Sequence, residues 1–239
     1  MHLMKTFSTF FLFILPVFLS AQEFHYPVLK HQEKTITDFI PQNWTLHDSA
    51  SGDLNKDGKK DYVLVLQYKD SVTLVDSSET YPDTVLTQPR LLAILFYDPA
   101  SGNYQLAEQN NTFILNQDNP FLLDPFESIQ IENGVLVIKF SLFYSMGSWY
   151  ITNTTYKFRY QHADFALIGA DNFSINRATH DFEESSYNFL TGKWSLKTGN
   201  DDSEKTPKTE WHKLAPLEIK TLKTFQKPFT WEVTKDVYL

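Results

Sequence analysis

The stretch Asp53-Leu54-Asn55-Lys56-Asp57-Gly58-Lys59-Lys60-Asp61 sets carboxylate or amide oxygens at its first, third, fifth and ninth positions and a glycine at its sixth. Ca²⁺ is a hard cation that takes roughly 6 to 8 oxygens at about 2.3 to 2.6 Å, so acidic and amide side chains on alternating loop positions can converge on one ion. The spacing predicts side-chain oxygens from Asp53, Asn55, Asp57 and Asp61 and a backbone carbonyl from Lys59. Gly58 allows the sharp reversal where a side chain is costly. A helix-loop-helix calcium sensor would place a bidentate Glu at the twelfth position, which here is Leu64, inside the apolar run Tyr62–Leu66. The loop is therefore expected to close with Asp61 and feed straight into a strand, and its ion is expected to be structural. The competing assignment is a metal-free acidic turn that merely precedes the strand.

Other candidate chemistry is sparser. The sequence holds no HExxH, GxSxG, GxGxxG or GxxxxGK[ST] signature, so the local motifs of zinc proteases, serine hydrolases, dinucleotide enzymes and phosphate loops are missing from it. His180 and Asp181, within Arg177–Glu184, form the one catalytic-looking cluster, because imidazole titrates near neutral pH and can serve as a base or metal ligand. A secreted hydrolase built on His180 and Asp181 is the alternative function; a solvated turn is the plainer assignment. Asp118, Asp124 and Glu127, interleaved with Pro120 and Pro125, offer a glycosidase-like set of carboxylates or simply turn residues. Phe143, Tyr144, Trp149 and Tyr150 crowd around Gly147 and suit either core packing or a ring-lined binding face.

The elements expected to position these groups are mostly strands. Residues 62–68 and 90–98 are apolar runs long enough for strands buried on both faces. Asp98–Asn103 reads as a turn and residues 104–109 as the returning strand. Asn133-Gly134 between two alternating segments predicts a tight hairpin across 127–144, because it tolerates positive φ at both central positions. Alternation continues through 152–176, with a turn at 161–164, and 187–194 again reads as strand and turn. Ile36, Phe39 and Ile40 before Pro41 predict one short helix, and 214–225 suits a short helix or an extended packing segment. Trp44 is expected to pack into the core beside the loop. Residues 70–89 read as a hairpin with a long loop, 198–209 as a flexible loop, and 229–239 as a closing strand. No 20–50-residue period recurs and the acidic loop occurs once, which excludes a full propeller. The expected class is mainly β: a twisted antiparallel sheet or sandwich meander with one or two short helices.

Residues 38–66, DFIPQNWTLHDSASGDLNKDGKKDYVLVL, resemble the opening of a group of secreted bacterial proteins in which a DFIP segment leads into GDLNxDGxxDxVLVL. The loop itself is similar to those of FG-GAP/VCBS-type repeats, which bind calcium at blade loops of β-propellers. Residues 90–115, 124–140 and 188–194 also look like that group. The resemblance implies a calcium loop and a shared fold, and carries over no catalytic residue. Where such relatives show a Gly-Gly-Ser-Ser-Trp-like stretch, this chain has Ser145-Met146-Gly147-Ser148-Trp149.

Residues 1–21 read as an export signal: Lys5 gives the positive n-region, Phe10–Leu19 the apolar h-region and Leu19-Ser20-Ala21 the cleavage site. The apolar run is short for a membrane span and is broken by Pro16, so no span is expected in the mature chain, which would be one β-rich domain over 22–239, periplasmic or extracellular. Of the 239 residues, losing the first 21 leaves 20 cations against 29 acids, a net charge of −9. That balance disfavours nucleic acid and anionic membrane surfaces, which need clustered Lys and Arg; the expected partner is a protein or glycan ligand. With no Cys, there is neither a disulfide framework nor thiol chemistry.

Overall fold

The computed structural model describes residues 24–76, 83–235 and 237–239; the signal segment and the tip of the 70–89 hairpin lie outside the described residues. Strands occupy Gln32–Glu33 (β1), Trp44–Gly52 (β2), Asp61–Tyr68 (β3), Val72–Asp76 (β4), Asp83–Thr87 (β5), Arg90–Asp98 (β6), Asn103–Asn110 (β7), Phe126–Glu132 (β8) and Val135–Phe143 (β9). They continue through Tyr150–Gln161 (β10), Asp164–Asn176 (β11), Asp181–Asn188 (β12), Lys193–Asn200 (β13), Lys208–Lys213 (β14), Glu232–Thr234 (β15) and Val237–Tyr238 (β16). All pairings are antiparallel. A five-stranded sheet runs β1-β7-β6-β3-β2, a seven-stranded meander runs β14-β13-β12-β11-β10-β9-β8, and β4-β5 and β15-β16 form two small hairpins. Neither main sheet closes on itself.

The apolar runs of β3 and β6 are explained by two cores. Val63, Val65, Leu92 and Ile94 face the large sheet and meet Leu136, Ile138, Phe140, Tyr156, Phe158 and Leu167. Their sequence neighbours Leu64, Leu66, Leu91, Ala93 and Leu95 point the other way, because side chains alternate along a strand, and are covered by Leu29, Phe39 and Trp44. The N-terminal segment therefore roofs the outer face of the small sheet. Phe113 joins the layers at the centre of the larger core, with ring centroids 5.2–6.1 Å from Phe140, Tyr156, Phe158 and Phe225.

Two long-range tethers join the sheets. Arg90, at the start of β6 and 4% exposed, donates from both terminal nitrogens to Asp124 at 2.7 and 2.5 Å, from Nε to Gln67 at 2.8 Å, and to the Leu115 carbonyl at 3.0 Å. Close by, the backbone N–H of Ile129 in β8 donates to Asp48 of β2 at 3.1 Å. The C-terminal segment seals the larger core: Asn110 donates to the Leu222 carbonyl at 2.7 Å, and Leu222, Phe225, Val233 and Leu239 are buried.

Several local expectations are refined. The short helix expected before Pro41 is a single 3-10 turn, Ile36–Phe39, capped by Thr35 and Asp38. Residues 214–225 are extended with one turn rather than helical. Trp44 is buried, but it pairs with Tyr68 at the end of β2 opposite Gly52, where the acidic loop begins. It packs among Phe24, Tyr26 and Tyr68, so it is not beside the loop. Strands β13 and β14 run in register from Thr198↔Lys208 to Lys193↔Lys213, which narrows the polar connection to 201–207.

Candidate metal loop and neighbouring groups

The acidic loop joins β2 to β3 on the edge where the two sheets approach. Leu54 anchors it, its side chain fully buried in the core between the sheets. Around that anchor the polar side chains take up the loop's own N–H groups. Asp53 accepts from Asp57 N at 3.1 Å and Gly58 N at 2.9 Å, Asn55 Oδ1 from Asp57 N at 3.0 Å, and Asp57 Oδ1 from Lys59 N at 2.7 Å. Asn55 Nδ2 donates to Asp57 Oδ2 at 3.2 Å. Gly58 has φ +80°, the left-handed conformation that its position at the reversal requires. Asp53, Asn55 and Asp57 are thus drawn to one side of the turn, while Lys59 is an exposed loop residue that donates its N–H inward.

Asp61 is placed differently. It is fully buried as the first residue of β3. Its Oδ2 accepts from Leu54 N at 2.9 Å and Asn55 N at 3.4 Å, and its Oδ1 accepts from Tyr97 N at 3.2 Å in β6. Burial pushes this carboxyl above its ordinary range, against the lowering effect of those three N–H groups. The sequence marked Asp61 as an oxygen donor; it gave no sign that the side chain would staple the loop's start to the neighbouring strand. The β8–β9 turn, with φ of +52° at Asn133 and +77° at Gly134, sits against the loop so closely that a Cβ on Gly134 would lie 3.2 Å from the Asp53 carbonyl.

The donor set suits a hard cation. Each carboxylate oxygen has about two lone pairs, and the loop N–H groups take one on each Asp53 oxygen, leaving others free. Asp61 contributes least, because its oxygens already serve three N–H groups. Among the described residues no group of three or more His, Cys, Asp and Glu is placed to hold a metal; calcium loops also draw on amide and backbone oxygens.

His180 and Asp181 are adjacent in sequence but not joined in space. His180 has φ +61° at the β11–β12 turn, and its Nδ1 lies 2.7 Å from Asp202; the hydrogen bond and charge of Asp202 raise its pKa. Asp181 instead accepts from Asn200 Nδ2 at 2.8 Å, and the Asn200 and Thr179 hydrogen bonds hold it below the ordinary carboxylate range. Asp181 and Glu183 line a shallow depression of about 530 Å³ with Tyr150, Ser174 and Thr198, and His180 is not among its lining residues. Of the carboxylates at 118–127, Asp124 is committed to Arg90. Burial pushes it up, but the Arg90 hydrogen bond and charge outweigh this and hold it low. The rings around Gly147 divide: Arg177 lies 4.9 Å over Phe143, whereas Trp149 and Tyr150 stand outside the core.

Compared with known proteins, the chain matches no family model, no curated protein and no solved structure. Among the described residues, no helix is long and apolar enough to cross a membrane.

Proposed function

We propose that the 53–61 loop holds a structural Ca²⁺ and that the protein is an exported, non-enzymatic β-rich domain with a binding or structural role. The observation that carries this reading is the gathering of Asp53, Asn55 and Asp57 on one side of a turn whose reversal is made by Gly58 at φ +80°. Those three side chains and the Lys59 carbonyl are the oxygens that would hold the ion, with Asp61 positioning the loop beneath them. When bound, the ion supplies positive charge among clustered acids. The chain's own part is to fix the loop: Leu54 and Asp61 tie it to the core and to β6, and Gly134 lets the β8–β9 turn seat against it.

The non-enzymatic part is supported by the commitments of the candidate catalytic groups. Asp181 is turned to Asn200 and held low, unlike a general acid, which needs a raised pKa. Asp124 is held by Arg90, and His180 lies outside the depression that Asp181 and Glu183 line. Export is supported by the resemblance of residues 1–21 to a signal peptide.

Equilibrium dialysis of residues 22–239 with metal analysis tests the reading: one calcium per chain is expected, lost in Asp57→Asn. No uptake at millimolar calcium would overturn it.

A further inference from the structure

The outer face of the seven-stranded sheet carries a charge opposite to that of the molecule. Cross-strand partners share a face and successive residues alternate, so one row reads Trp211, Ser195, Ser186, Asp171, Thr155, Lys139 from β14 to β9. The rows on either side add Lys213, Lys193 and Lys157, and Lys197 and Glu184. Over these three rows, five lysines stand against two carboxylates in a chain of net charge −8. Lys157 and Lys197 are neutralised by Asp171 and Glu184. Among the described residues, Lys139, Lys193 and Lys213 enter no ion pair. Lys193 and Lys213 are direct cross-strand partners and both exposed, and like charges directly opposite one another are unfavourable, which a bound anion would offset. One position along the same face, Trp211 is 74% exposed, on an edge strand where a bare indole has no packing role.

The geometry points to this face as a binding platform for an acidic polysaccharide, one with carboxylates spaced among neutral sugar hydroxyls. The inference rests on the non-enzymatic binding role proposed above and names its ligand. Trp211 supplies an apolar ring face on which a sugar can stack, and Lys193 and Lys213 a twin cation for a uronate carboxylate. Ser195 and Asn188 lie between them and the far cation Lys139, with Ser186 donating to Asp171 at 2.7 Å along the way; Lys139 is about 24 Å from Lys213 at a strand spacing of about 4.8 Å. Charge density separates this ligand from nucleic acid. Duplex DNA carries one charge per about 1.7 Å and rewards dense Lys and Arg, whereas here three free cations are spread among hydroxyls, amides and the two internal pairs Lys157–Asp171 and Lys197–Glu184. The sparse charge matches a glycan.

The test is affinity electrophoresis and calorimetry of residues 22–239 at fixed millimolar calcium, with hyaluronan as probe and dextran, a single-stranded oligonucleotide and phosphatidylglycerol vesicles as comparisons. Hyaluronan is expected to bind and dextran not to. Trp211→Ala should weaken binding about tenfold or more, and Lys193→Gln with Lys213→Gln should weaken it and flatten its salt dependence. All three side chains are exposed, so Trp211→Ala should keep the parent thermal midpoint and the double lysine variant should match or slightly exceed it. No retention by hyaluronan, retention unchanged in the variants, or tighter capture of the oligonucleotide or vesicles through the same residues would overturn the inference. Shortening of the hyaluronan would instead overturn the non-enzymatic reading and leave the platform standing. Asp57→Asn should lose calcium yet retain hyaluronan binding while folded, which separates failure of the loop from failure of the face.

Discussion

Replacing Asp61 by Ala removes a fully buried carboxylate that accepts three backbone N–H groups, from Leu54, Asn55 and Tyr97. Hydrogen bonds to a charged group contribute about 1.5–3 kcal/mol each, and a buried donor left without a partner costs about 1–3 kcal/mol. Two of the three bonds are well formed, at 2.9 and 3.2 Å, and the third is long at 3.4 Å. The loss should therefore be about 3–5 kcal/mol, a large part of the ~5–15 kcal/mol of a typical domain. Asp61→Asn keeps one acceptor and turns an amide donor toward the N–H groups, so it should fall between Ala and wild type. Urea unfolding followed by tryptophan fluorescence gives the free energies. The measurement should be made with calcium and with chelator, because a staple acts in both and a pure ion ligand acts only with the metal. A cost below about 1 kcal/mol, or one confined to the calcium-bound protein, would refute the assignment of Asp61 as the residue that fastens the loop to β6.

Other perturbations read different joints. Arg90→Met strands Asp124, Gln67 and the Leu115 carbonyl; breaking a buried pair costs about 3–5 kcal/mol, reduced here because the Asp124 side chain is 38% exposed, so a loss of about 2–4 kcal/mol in urea is expected. Because Asp124 is held low in the folded state, its contribution is present above the unfolded value of about 3.9 and is lost as pH falls through the folded value. The stability gap between wild type and Asp124→Asn should accordingly shrink between pH 6 and pH 3, and a constant gap would count against the ion pair. Gly134→Ala places a Cβ in a left-handed turn and 3.2 Å from the Asp53 carbonyl, which should cost about 1–2 kcal/mol and lower the thermal midpoint.

The parts of the fold that local pattern controls were legible in the sequence. The unbroken runs of β3 and β6 announced burial on both faces, and Asn133-Gly134 announced a hairpin that the positive φ values bear out. The turn at 161–164 was legible from flanking alternation, although His162 and Ala163 both take positive φ without the residues that usually favour it. What escaped were matters of long range. Arg90 and Asp124 lie 34 residues apart, and no periodicity links them. Trp44 is apolar and near the loop in sequence, but a nine-residue strand carries it to the far end of the sheet. The choice between helix and extended segment at 214–225 was also open in the sequence, and it is decided by backbone bonds with β11, Leu167 N to the Lys220 carbonyl and Leu222 N to the Phe165 carbonyl. In the loop, residue types gave the oxygens; the diversion of Asp61 to Tyr97 needed the third strand to be in place.

Thermal unfolding of residues 22–239 in EDTA and in millimolar CaCl₂, repeated on Asp57→Ala, bears most directly on the calcium loop. An ion present at about 100 times its dissociation constant adds about 2.7 kcal/mol, and at about 2–4 °C per kcal/mol for a chain of this size the wild-type midpoint should rise by about 5–10 °C. Asp57→Ala should show the EDTA midpoint in both buffers. A wild-type midpoint indifferent to calcium, or a mutant that keeps the shift, would contradict the account.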